Sequence, residues 1–95
     1  MNREEFISLL HLSQSHETEI AFFNGLQDIG LLHIEIIEEI PYIHQEQVKD
    51  LERMIRLHRD LHMDAEAIDI ILHLLQKINS LQQELEEANR LLGKL

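Results

Sequence analysis

The 95-residue sequence has no cysteine, one proline, three glycines and 4% aromatic residues. Without cysteine there are no disulfides, no thiolate metal ligands and no cysteine nucleophile. So little proline and glycine leaves small room for long loops, and helices should dominate. No apolar stretch approaches the roughly 20 residues of a membrane span, and no cationic segment followed by an apolar run opens the chain. A cytoplasmic protein is the expectation. Positive charge is the scarcest commodity, and its shortage is positional. Arg3 is the only base before Lys49, so residues 4–48 carry no Lys or Arg.

What is present is acid. Asp and Glu number 18 against 8 Lys and Arg, a formal charge of −10. Nine of the acids (Glu4, Glu5, Glu17, Glu19, Asp28, Glu35, Glu38, Glu39 and Glu46) fall in the base-free stretch. Nucleic-acid affinity comes mainly from bases neutralising phosphates, and anionic lipid attracts the same residues, so both partners are disfavoured. A partner of the first half should be basic or uncharged. Hydrophobic residues make up 44% of the chain, enough for a core. A chain this short nevertheless buries only about 60–65% of its unfolded surface, and such proteins often gain stability by dimerising.

Along the chain, Glu5-Phe6-Ile7 reads as a short strand or extended lead-in, with Ser8 as N-cap of a helix over about Leu9 to Ser15. The rival is one helix from Asn2 with Glu5 at the third position of a capping box. A second helix is expected from about Glu19 to Ile29, since Ile20, Phe23, Leu26 and Ile29 recur every third residue, with Gly30 ending it. Ile34, Ile36, Ile37, Ile40, Tyr42 and Ile43 are β-formers interrupted by Glu38-Glu39, which predicts two short strands joined at an acidic tip. Pro41 cannot donate a ladder bond, which puts its strand at an edge. From Gln45 the helical period returns, with Val48, Leu51, Met54, Ile55, Leu57 and Leu61 as a broad buried face. His62-Met63 breaks it, and Asp64 caps a last helix with no Pro or Gly before Gly93.

That last helix carries a heptad seam. Ile71, Ile78, Leu85 and Leu92 are spaced by seven, and Leu74, Leu81, Ala88 and Leu95 interleave three residues later. One helix cannot bury such a seam against so small a body, so the spacing predicts a homodimer through a coiled coil. The alternative is internal packing of Ile71 to Ile78 with a frayed tail. The expected division is a body over residues 1–63 and a dimerisation helix over 64–95.

Helix, turn, helix ending in Gly30-Leu31, short hairpin, helix, then Leu61-His62-Met63-Asp64 before a long helix: this order resembles the MerR-like winged helix. The stretch from Met54 to Leu61, then Ala67-Ile68 and His73-Leu74-Leu75, is similar to one branch, the chaperone modulator CbpM family. The run from Leu26 to Leu31, Glu38-Glu39 and Gln82-Gln83-Glu84 agree with it. The likeness spans roughly Glu4 to Leu92 and departs at Ala67, where the family often has Gly. It implies a mainly α fold: a MerR-like winged helix-turn-helix with a short β-hairpin wing and a long C-terminal coiled-coil helix. It also implies a function, to bind and inhibit the J-domain of a DnaJ-like or CbpA-like co-chaperone in competition with Hsp70 (DnaK). J-domains present a basic helix to Hsp70, and an acidic surface would attract it. The candidate contacts are the acidic wing, Glu35, Glu38 and Glu39, with Asp28 and Glu19 nearby.

Three rivals stand against this expectation. A MerR-like transcription regulator would read DNA through the second helix, but Glu19, Asn24, Gln27 and Asp28 supply no base there. Lys49, Arg53 and Arg56 line one face of the third helix, yet Asp50, Glu52 and Asp60 interleave with them, so salt pairing is expected. A dimeric adaptor for another basic partner is the second rival. Metal binding is the third: His58 and His62 have i,i+4 spacing, but a third ligand is lacking and Asp60 faces elsewhere. Neither a metal nor a cofactor is expected. No glycine-rich loop, nucleophile elbow or His-Glu-x-x-His pattern marks an enzyme.

Overall fold

The computed structural model describes residues 5–94. Asn2, Arg3, Glu4 and Leu95, all invoked above, lie outside the described residues. Strand β1 (Phe6–Ser8) leads into helix α1 (Leu9–Ser15), and the Ser8 hydroxyl accepts the His11 amide at its N-terminus. A strand at Phe6–Ser8 decides against one continuous helix through to Ser15. The turn to α2 (Ile20–Asp28) is built by its own side chains. The hydroxyl of buried Thr18 donates to the His16 carbonyl, and Ser13 Oγ donates to the Thr18 carbonyl. Gly30 ends α2 at φ +83°, a conformation costly to any residue with a Cβ.

Residues 31–34 link α2 to the hairpin and are held by two glutamines. Gln27 Oε1 accepts the Ile34 amide at 2.7 Å, while the Gln47 side chain accepts from His33 N and donates to His33 O. Strands β2 (Glu35–Ile37) and β3 (Ile40–His44) then form the expected hairpin. Its tip, Glu38-Glu39, takes positive φ at both residues, +50° and +69°. That is the backbone of a tight two-residue turn, here without the Asn-Gly that favours it.

The sheet order is β1-β3-β2, so the strand holding Pro41 is central, not at an edge. β1 stops at Ser8, which pairs with Tyr42, and Pro41 is paired only on the β2 side, with Ile36. Ladder bonds alternate between sides, and the tight hairpin bonds Ile37 with Ile40, so the missing proline N–H falls on the side that β1 has already vacated.

A 3₁₀ turn (Gln45–Gln47) opens α3 (Val48–Leu61), which ends with His62 in the left-handed region at φ +55°. Asp64 caps α4 (Ala65–Leu92) by accepting the Ala67 amide at 2.9 Å. The core gathers Leu9 and Leu12 of α1, Phe22, Phe23 and Leu26 of α2, Leu32, Ile43, and Leu51, Met54 and Ile55 of α3. Leu61 does not join it: it is exposed, because the chain turns away at His62. Helix α4 contributes fully buried Ile68, with Ala65 and Leu72 packed alongside.

Beyond Leu72, every described residue of α4 is exposed. Twenty of its residues project from the body, about 30 Å of helix at ~1.5 Å per residue, consistent with a longest molecular dimension of 62 Å. Among the described residues, no helix is long and apolar enough to cross a membrane.

Candidate functional site

Two exposed features carry the residues singled out by sequence. The first is the projecting helix. Leu74, Ile78, Leu81, Leu85 and Leu92 are between 50% and 64% exposed, and Ile71 is half-buried at the root of the stripe. Ala88 shares the exposed stripe. Exposed Ile70, Leu75 and Leu91 widen it at both ends. An apolar stripe of this length in water marks a surface made to be covered.

The second feature is acidic, and the structure divides it in two. Glu35, Glu38 and Glu39 lie on the hairpin, where Glu35 Oε1 meets His33 Nε2 at 2.9 Å. Glu19 and Asp28, at opposite ends of α2, instead line a groove between α2 and the start of α4. Phe22, Gly25, Ile29 and Ala65 form its apolar lining, and Asp64 and Glu66 bring the carboxylates there to four. None of the three hairpin acids reaches it. Gly25 lets the two helices approach: a Cβ there would stand 3.4 Å from the Ala65 Cβ.

His58, on α3, is the groove's one basic group. Its ring stacks on Phe22, with centroids 4.0 Å apart and planes 9° apart. Its Nε2 lies 2.8 Å from Glu19 Oε1 and its Nδ1 2.6 Å from the Met63 carbonyl. Glu19 responds: its carboxyl is held below the ordinary value of 4.5, first by a backbone hydrogen bond and then by His58, against a smaller opposing effect of burial. His58, Asp64 and Glu66 were not foreseen as a site. The histidine had been paired with His62 along the sequence, whereas its real partners come from α2 and from the α3–α4 turn. Among the described residues, no group of three or more His, Asp or Glu is placed to hold a metal ion.

The bases of α3 behave differently from expectation. Lys49, Arg53 and Arg56 are exposed, and among the described residues none closes an ion pair. Lys49 and Arg56 line a cleft shared with Glu52 and Asp60, so opposite charge still surrounds them. Among the described Lys and Arg of this helix, only Arg59 makes a bridge, to Glu17 at 3.9 Å.

Two helices joined by a tight turn, a two-stranded wing and a long closing helix define a winged helix-turn-helix protein. The chain belongs to the MerR family: residues 7–90 match the model of the MerR HTH family regulatory protein. No curated protein and no solved structure matches the chain.

Proposed function

We propose that this chain is a dimeric protein-binding member of its family, which holds the J-domain of a DnaJ-like or CbpA-like co-chaperone and so keeps it from Hsp70. The observation that carries this reading is the surface of α2. A winged helix that reads DNA presents this second helix to the groove and needs bases on and around it. Here α2 exposes Ala21, Asn24, Gln27 and Asp28, and the wing exposes Ile36, Glu38, Glu39 and Ile40. No Lys or Arg stands on either element. Such a surface repels phosphate and attracts a basic protein, raising encounter rate and selectivity. The likeness to the CbpM branch supports the J-domain as that protein. The seam of α4, from Ile71 to Leu92 and on to Leu95, supports pairing of two copies.

Family membership favours one other reading, a regulator acting on DNA through the exposed bases of α3. Mixing the purified chain with its J-domain co-chaperone at low salt, beside a gel shift on genomic DNA, separates the two. A complex that lowers J-domain stimulation of Hsp70 supports the modulator. No complex, with retarded DNA instead, supports the regulator.

A further inference from the structure

The groove between α2 and the first turn of α4 has a volume of about 450 Å³ and is open to solvent. Glu19 and Asp28 stand on the α2 side, Asp64 and Glu66 on the α4 side, and Phe22 and Ala65 are among the apolar residues between them. No Lys or Arg lines it. Two of the carboxylates are already engaged, Glu19 with His58 and Asp64 with the Ala67 amide. Asp28 and Glu66 are exposed, and neither is in an ion pair among the described residues.

We infer that this groove, rather than the wing, is the seat of a cationic amphipathic helix from the partner protein. The inference rests on the reading that the partner is basic and adds the place and shape of the contact. Apolar lining with carboxylates contributed from two helices asks for apolar side chains on one face, with Lys or Arg beside them. Residues three and four apart on a helix supply that pattern, and long basic side chains can lay their stems along the apolar lining while their charges reach the rim. An extended segment would pair with a free strand edge, and no strand lines this groove. Anionic lipid and nucleic acid meet four carboxylates here and are repelled. The wing lacks such a lining: Ile36 and Ile40 are exposed but on opposite faces of the hairpin, as their partners Pro41 and Ile37 require.

The test uses the full chain, isotope-labelled, and a designed Lys/Leu amphipathic helical peptide. Amide shifts should concentrate at Phe22, Gly25, Ile29 and Ala65 and leave Glu38 and Glu39 still. The double variant Asp28→Lys, Glu66→Lys should weaken binding about tenfold, some 1.4 kcal/mol, while Glu38→Lys, Glu39→Lys changes it by less than about twofold. Shifts confined to the wing or to the outer half of α4, or equal affinity for wild type and the Asp28/Glu66 variant, would overturn the groove. The J-domain protein is then run against the same variants. If it binds wild type and the groove variant alike, the groove is overturned and the modulator reading stands. If it binds neither while the peptide seats in the groove, the J-domain reading falls and the groove stands.

Discussion

His58 lies flat on Phe22, 4.0 Å from ring centre to ring centre, and so joins α3 to α2 at the edge of the acidic groove. The same imidazole bonds Glu19 at the start of α2 and the Met63 carbonyl in the turn before α4. One side chain therefore fixes the relative position of the three helices that shape the groove.

Replacing it should be felt by the whole body. His58→Ala removes the stack and two hydrogen bonds, one of them to a charged group, and should cost about 2–3 kcal/mol. A drop of that size lowers Tm by roughly 8–24 °C in a domain this small. Thermal unfolding followed by circular dichroism measures it. A variant as stable as wild type would show that the contacts around His58 are incidental.

The pH dependence follows from Glu19. Its folded carboxyl titrates below 4.5, chiefly through its backbone hydrogen bond and then through His58. The unfolded chain therefore binds this proton more readily than the folded one. The resulting stabilisation is fully present above about pH 4.5 and is lost as pH falls through the lower folded value. Urea unfolding from neutral pH down to about pH 3 should show Glu19→Gln less stable than wild type at neutrality, with the gap closing on acidification. A gap constant with pH would remove the carboxylate from the explanation.

The wing tip offers a gain of stability. Glu38 and Glu39 both hold positive φ, which costs a residue with a Cβ roughly 1 kcal/mol each. Glu38→Asn with Glu39→Gly supplies the residues that the turn favours. Chemical denaturation should find the double variant more stable by about 1–2 kcal/mol. An unchanged midpoint would mean that the acids recover the cost through contacts of their own.

The seam predicts a separation of assembly from folding. Leu85 is 61% exposed and far along α4 from buried Ile68. Leu85→Asp should give monomers in analytical ultracentrifugation and lower the helical signal as the unpaired helix frays. Fluorescence of Tyr42, the single tyrosine, should still report a folded body. A persisting dimer would reject this stripe as the interface.

The elements that sequence announced are those whose signals are local. Ser8 and Asp64 accept amides at the helix starts, Gly30 takes the left-handed conformation, and the β-branched run from Ile34 to Ile43 folds on its acidic tip. What was misread depends on partners distant in the chain. Pro41 sits in a central strand because β1, more than thirty residues earlier, stops one position short of it. Leu61 keeps the helical period but is exposed, because the chain reverses at His62 before anything covers it. The candidate site follows the same rule. Glu19 and Asp28 are recognisable in sequence as acids bounding α2, expected near the wing rather than in a groove. Their companions Asp64 and Glu66, and the Glu19–His58 contact across 39 positions, exist only once α4 is laid against α2.

If this acidic winged helix holds a basic protein, calorimetric titration of the full chain with a DnaJ-like J-domain co-chaperone, at low and then physiological salt, should reveal the complex. The expected result is a saturable complex whose affinity falls as salt rises and falls again with Asp28→Lys, Glu66→Lys. Absence of heat at low salt, with a gel-shift complex on DNA from the same preparation, would contradict it.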